Sequence, residues 1–196
     1  VSDFHNDDKW QRLERDGKLV PAIYRTYAFE GRYILVDKGR FATLLQRRYA
    51  VDTLAQGSGG HIVAIEEKIV RWPGRIYTAF TLETKSCTKP GHESNGWMIY
   101  GQADQLLYCF NQSNGDLDCY YIDFQILKSW FWTIESHLPI FIMHNTINRT
   151  AGRVVPIQMV VANVPTDRFY IGQRDGQWRV LQTQSWFRHP FRIEKE

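Results

Sequence analysis

Apolar and polar positions alternate in strand-length runs along much of the chain. Residues 62–70 (IVAIEEKIV) and 76–85 (IYTAFTLETK) are rich in β-branched and apolar side chains and predict two strands. The Trp72-Pro73-Gly74 tripeptide between them predicts a hairpin. A second strand pair, 98–110 and 118–124, flanks Asn114-Gly115-Asp116, and Asn-Gly is a strong hairpin signal. Residues 154–164 (VVPIQMVVANV) read as one more strand, with Pro156 at an edge or bulge. Upstream, residues 22–37 divide at Glu30-Gly31 into two strands, the second holding YILV at 33–36.

Helical spacing recurs in three places. Trp10 and Leu13 share a face within residues 1–18. Phe41, Leu44 and Leu45 form an i, i+3, i+4 stripe over 40–50, with Arg40, Gln46, Arg47 and Arg48 on the opposite face. From 124 to 136, Ile126, Leu127, Trp130, Phe131 and Ile134 make a broad apolar face behind Asp123, a capping residue type. GSGG at 57–60 lacks a following Gly-Lys-Ser/Thr and precedes a strand, so it predicts a flexible turn rather than a phosphate loop. Residues 86–96 read as a loop. These elements make an α/β (α+β) fold, a central mixed β-sheet flanked by helices.

At 196 residues the chain predicts a single domain over 1–196, with a core of about 33–164 and an aromatic, Arg-rich C-terminal extension at 165–196. No apolar run approaches the roughly 20 residues of a membrane helix, so no membrane partner is expected. The first twenty residues are polar and predict no secretory leader. Three cysteines, Cys87, Cys109 and Cys119, are too few and too oddly numbered for a disulfide framework, which favours a reducing, cytoplasmic setting. Their spacing with His92 lacks the paired signature of a zinc site. The net charge of +3 permits nucleic acid without demanding it. The aromatic share, 14%, supplies side chains for core filling and for stacking on bases.

The chemistry concentrates between Arg40 and Pro90. Strand alternation puts Glu66 and Lys68 on one face and Glu67 on the other. Glu83, Lys85 and Thr81 share a face of the next strand. A carboxylate inside an apolar strand is expensive to bury unless it is paired or bound to a cation. A divalent cation is the economical explanation, because Mg²⁺ is held by one or two carboxylates plus waters and phosphate oxygens.

Asp52, followed after thirteen intervening residues by Glu66-x-Lys68, resembles the motif of the PD-(D/E)xK nucleases, with Val51 in front of the Asp. The order of elements over 40–162 resembles the restriction-endonuclease-like core: helix, three strands, helix, strand, with the lone Asp opening one strand and the Glu-x-Lys on the next. GWMIYGQADQLLYCF and YIDFQILKSWF also resemble phage and bacterial members, with Ala103-Asp104 on a strand after the site.

The resemblance implies a metal-dependent endonuclease. Asp52, Glu66 and Lys68 would be catalytic, with Asp52, Glu66 and Glu83 holding Mg (or Mn). Arg47, Arg48 and Gln102 would contact the nucleic acid. The partner would be DNA, with RNA left open, and a homodimer would serve to cut two strands. The alternative register stays open, with Glu66 or Glu67 as the lone acid and Glu83-Thr84-Lys85 as the Glu-x-Lys. A second function also stays open: a non-catalytic nucleic-acid-binding or assembly module, whose Trp, Tyr and Arg side chains after residue 165 meet a partner. Tyr108 is expected in the core and Asp104 is expected to order the site.

Overall fold

The computed structural model describes residues 33–36, 44–56, 60–70, 78–112, 116–144, 149–175 and 177–185. In chain order the strands are β1 (Tyr33–Leu35), β2 (Thr53–Gln56), β3 (Ile62–Val70), β4 (Ala79–Cys87), β5 (Ser94–Asn95) and β6 (Gln105–Asn111). They continue with β7 (Leu117–Asp123), β8 (Ile140–His144), β9 (Arg149–Pro156), β10 (Thr166–Arg174) and β11 (Gln177–Ser185). The helices are α1 (Trp97–Tyr100), α2 (Phe124–Ile134) and α3 (Ile157–Asn163), with a π-helical turn at Leu45–Tyr49. The fold is α+β and holds two sheets. One is seven-stranded, β1-β2-β3-β6-β7-β10-β11, and the other is four-stranded, β5-β4-β9-β8. The first is mixed, because β6 runs parallel to β3 while its other pairs are antiparallel.

The two sheets meet across Phe80 of β4. Its ring lies 4.9 Å from that of Tyr108 on β6 and 5.2 Å from that of Tyr120 on β7, both edge-on. Leu82, Phe110, Ile122 and Val155 complete this interface, and α2 adds Phe124, Leu127 and Phe131. Tyr108 is thus a core residue, as its strand position suggests. The opposite face of the large sheet carries a second apolar cluster that includes Val63, Ile65, Leu107, Cys109 and Tyr121. A strand with a core on each face needs apolar residues at both parities, hence the near-continuous hydrophobic reading of β3 and β6.

Several sequence expectations hold. β6 and β7 form the expected antiparallel pair, and α2 begins where Asp123 caps it, its Oδ1 accepting from the Ile126 N–H at 2.9 Å. Others are corrected. β3 and β4 do not form a hairpin. Both edges of β3 are taken, by β2 and β6, and β4 instead packs face-on through Phe80 and Leu82 while pairing with β5 and β9. The strand expected over 154–164 ends at Pro156, and α3 follows. Proline suits that junction because the first turn of a helix needs no N–H from it. Val160 and Val164, four apart, then turn into the core, a spacing the apolar run also permits.

Residues 98–100, expected in a strand, belong to a single helical turn, Trp97–Tyr100, between Gly96 and Gly101. The expected C-terminal extension contributes β10 and β11, which widen the large sheet beyond β7. The helix expected in 1–18, the strand before Glu30, the Trp72-Pro73-Gly74 connection, the Asn114-Gly115 turn and residues 186–196 lie outside the described residues. Among the described residues, no helix is long and apolar enough to cross a membrane.

Candidate functional site

Asp52 is delivered by the turn that precedes it. The π-helical turn stops at Ala50, whose φ of 50° is left-handed, and Ala50 N–H and Val51 N–H close back onto the carbonyls of Gln46 and Leu45. Asp52 then enters the large sheet one residue ahead of β2. Its N–H donates to Ile65 O at 2.8 Å and its carbonyl accepts from Val36 N–H at 2.9 Å. The side chain is fixed as well: Oδ2 accepts from Glu67 N–H at 3.0 Å, and Gln46 Nε2 stands 3.5 Å from Oδ1.

Glu66 follows from strand parity. Ala64 and Val70 of β3 pack on the core between the sheets, so Glu66 and Lys68 share that face. Val63, Ile65 and Ile69 pack on the other, so Glu67 lies there and its Oε1 accepts from Thr53 Oγ1 at 2.6 Å. Glu66 is buried, with 9% exposure. Its carboxyl is within hydrogen-bonding reach of Asp52's. Burial first, and the charge of Asp52 second, push the Glu66 pKa well above the usual carboxylate range, while Lys68 pulls it down. Asp52 is also raised, chiefly by burial, against the lowering effect of the Glu67 N–H. Two acids this close cannot both ionise cheaply without a positive partner.

The Asp52, Glu66 and Lys68 register is therefore the one brought together. The alternative register is not. Lys85 is exposed, donates to Asn95 Oδ1 at 3.2 Å, and sits on β4 in the other sheet. A β-bulge between Glu83 and Lys85 breaks the simple alternation expected there. Glu83 accepts from Ser86 Oγ and acts electrostatically on Tyr100, but it does not join the Asp52 and Glu66 carboxyls as a third ligand. Among the described residues no group of three or more His, Cys, Asp or Glu is arranged to hold a metal. Cys109 and Cys119 face each other across β6 and β7 with sulfurs 3.0 Å apart, while Cys87 lies on β4 and His92 is exposed.

The three candidate nucleic-acid contacts lie on two segments that are bonded to each other. Arg47 and Arg48 are exposed on the π-helical turn, and Gln102, also exposed, is tied to that turn through its N–H to Tyr49 O at 2.7 Å. Gln102 and Asp104 lie in the segment before β6 rather than on a strand. Asp104 nonetheless ties down β3: its N–H donates to Ala64 O and its Oδ2 accepts from Ala64 N–H, each at 2.8 Å. This pair of hydrogen bonds to the residue two before Glu66 lies where β3 meets β6.

Tyr100 was not among the expected residues. It is half-buried at the end of α1, and its hydroxyl feels burial first, then the charges of Glu66, Glu83 and Asp52. The signal for it was the pair of glycines at 96 and 101, which bracket one helical turn inside an apparent strand run. Comparison with protein-family models, with curated proteins and with solved structures found no match to this chain.

Proposed function

We propose that the protein is a metal-dependent nuclease that hydrolyses phosphodiester bonds of DNA, with RNA open as a second substrate. The observation that supports this reading is the pairing of a half-buried Asp52 with a buried Glu66, with Lys68 on the same strand face as Glu66. The donor set fits Mg²⁺ or Mn²⁺: it is all oxygen, two carboxylates suffice when water and phosphate fill the remaining positions, and a cation would favour the ionised form that burial disfavours in both acids. When bound, such a cation supplies positive charge beside the scissile phosphate and acidifies water.

Within that reading each residue has a task. Asp52 and Glu66 would hold the cation, and the Glu67 N–H and Gln46 fix the Asp52 carboxylate in place. Lys68 orients the attacking water and offsets charge that builds on the phosphate oxygens. Arg47, Arg48 and Gln102 grip backbone phosphates, contacts that position rather than specify. Cutting both strands of a duplex takes two such sites, which favours a homodimer as one active form. Free Cys109 and Cys119 side by side fit a reducing, cytoplasmic setting.

One observation favours the non-catalytic alternative, a nucleic-acid-binding or assembly module: the site has two converging carboxylates rather than three. The test is cleavage of plasmid, single-stranded DNA and RNA with Mg²⁺ or Mn²⁺ by wild type, Asp52→Ala and Lys68→Ala. Lys68→Ala is expected to lose cleavage and keep DNA binding. Cleavage that survives both substitutions, or a wild type indifferent to EDTA, would overturn the reading.

A further inference from the structure

Two of the three cysteines face each other across the β6–β7 ladder, and the ladder's hydrogen bonds say how. At one end Phe124 N–H donates to Asp104 O at 3.0 Å, and at the other Gln112 N–H donates to Asp116 O at 2.8 Å. Both bonds continue the register in which Cys109 stands opposite Cys119. Bonded and non-bonded pairs alternate along an antiparallel ladder. The even-numbered positions of β6 are therefore the bonded ones, and Cys109 with Cys119 is a non-hydrogen-bonded pair. The other side of β7 agrees. Asp123 N–H donates to Pro165 O at 3.1 Å, in register with Cys119 opposite Phe169, so the Cys119 backbone turns its polar groups to β10.

A pair of this kind brings its α-carbons to about 4.5 Å, with the side chains closer than in a bonded pair. A disulfide accepts α-carbon separations of about 4.4–6.8 Å. The two sulfurs are already 3.0 Å apart, both thiols are free, and both are fully buried. Closing the bond thus needs a small side-chain rotation and no change of register. The neighbours opposite them in the sheet, Ile69 on β3 and Phe169 on β10, are apolar and leave the sulfurs no other polar partner from those strands at this level. The spacing sits at the short end of the disulfide range, where the bond holds strain and is more easily reduced than a structural one.

We propose that Cys109 and Cys119 form a redox-sensitive latch, in which a small-molecule disulfide oxidises them to a cross-strand disulfide that locks β6 to β7. The inference is independent of the nuclease reading. One cysteine thiolate attacks a sulfur of the small disulfide and releases one small thiolate. The second cysteine sulfur then displaces the other small thiol and forms the Cys109–Cys119 bond. Two protein thiols are oxidised, and one small disulfide is reduced to two thiols. Burial pushes the Cys109 thiol well above the ordinary range, so the closed hairpin reacts slowly and the latch shuts when the hairpin opens. β6 is also the parallel neighbour of β3, with Tyr108 opposite Lys68, so the latch holds the strand beside the Glu66 and Lys68 strand.

The experiment refolds the full chain in a mixture of oxidised and reduced glutathione and maps disulfides by peptide mass. The Cys109–Cys119 bond is expected, with Cys87, which lies on β4 in the other sheet, still a free thiol and dithiothreitol restoring all three. The bond should raise the melting temperature, by at most about 10 °C for so short a loop. It should also slow hydrogen exchange at Tyr108, Phe110 and Tyr120, the bonded positions on either side of it. Cys109→Ala should show no rise in melting temperature in the same mixture. Native protein held in the mixture with urea below its unfolding transition gives a route that does not depend on refolding. Thiols that stay free by both routes, or a bond that takes in Cys87, would overturn the proposal. A bond that lowers the melting temperature or leaves exchange unchanged would overturn it too, since the link would then not hold the native pair.

Discussion

Replacing Glu66 with glutamine should make the metal-free protein more stable at neutral pH and nearly blind to divalent cations. Glu66 holds its proton more tightly folded than unfolded, because burial and the charge of Asp52 both penalise ionisation. Such a group favours folding while it is protonated. Its contribution is complete below the ordinary glutamate value of 4.5 and is lost as pH rises through the raised folded value. Every tenfold tighter hold on the proton corresponds to about 1.4 kcal/mol. For a chain of 196 residues that is about 3–6 °C in melting temperature.

A cation held by Asp52 and Glu66, as proposed, would reverse this loss, since it would bind the folded state with both carboxylates ionised. At one hundred times its Kd it adds about 2.7 kcal/mol. That is roughly 5–11 °C for a protein of this size. The assay is melting in EDTA from about pH 5 to about pH 8, repeated with Mn²⁺, for wild type and Glu66→Gln. In EDTA the wild-type curve should fall relative to the variant as pH rises, and Mn²⁺ at the upper end should raise wild type alone. Titrating groups that do not interact with Glu66 are common to both proteins and cancel in the comparison, which leaves the coupled Asp52–Glu66 pair. Parallel curves in EDTA together with equal Mn²⁺ shifts would refute the reasoning.

Other outcomes follow from the same geometry. Glu67→Gln should keep cleavage, because that carboxylate lies on the far face of β3, the backbone N–H that bonds Asp52 is retained, and losing the Glu67 charge makes Asp52 and Glu66 easier to ionise. Phe80→Ala should cost about 3–5 kcal/mol in urea denaturation, the usual range for emptying a buried aromatic site, because its ring joins both sheets. Arg168→Ala should cost about 3–5 kcal/mol, because it strips a buried Asp118 of a bidentate partner bonded at 2.8 and 2.7 Å. Asp118→Asn should cost less, since the Arg168 side chain, 30% exposed, can regain water.

Signals carried by neighbours in sequence were legible, and those set by distant partners were not. Asp123 announces α2 because a cap acts on the N–H three residues on. The β6–β7 pair follows from one Asn-Gly turn. Glu66 and Lys68 could be put on one face because parity along a strand is local, and Asp52 was joined to them only by the resemblance to a nuclease motif; the β2–β3 pairing is what brings it beside them. Glu83 and Lys85 could not be assigned, since their position depends on which sheet β4 joins, and the aromatic packing of Phe80 decides that. Residues 157–164 suit either period until the Pro156 junction is seen in place. Tyr100 was hidden because one turn of helix is too short to show a period of its own.

The chemistry of the site is in the end a matter of strand register. Glu66 and Glu67 are adjacent and chemically alike, yet a slip of β3 by one residue would exchange their faces and turn Lys68 away with Glu66. Three constraints oppose that slip. Val63, Ile65 and Ile69 belong to the second apolar cluster, while Ala64 and Val70 pack on the first, so a slipped strand would present its charged residues to the wrong core. Ile65 is paired on one side with Thr53 and on the other with Gln105. Asp104 holds Ala64 by both its N–H and its carbonyl. Burial of an acid at position 66 is therefore imposed by the apolar residues around it, and the resulting cost of ionising it is what the proposed cation would offset.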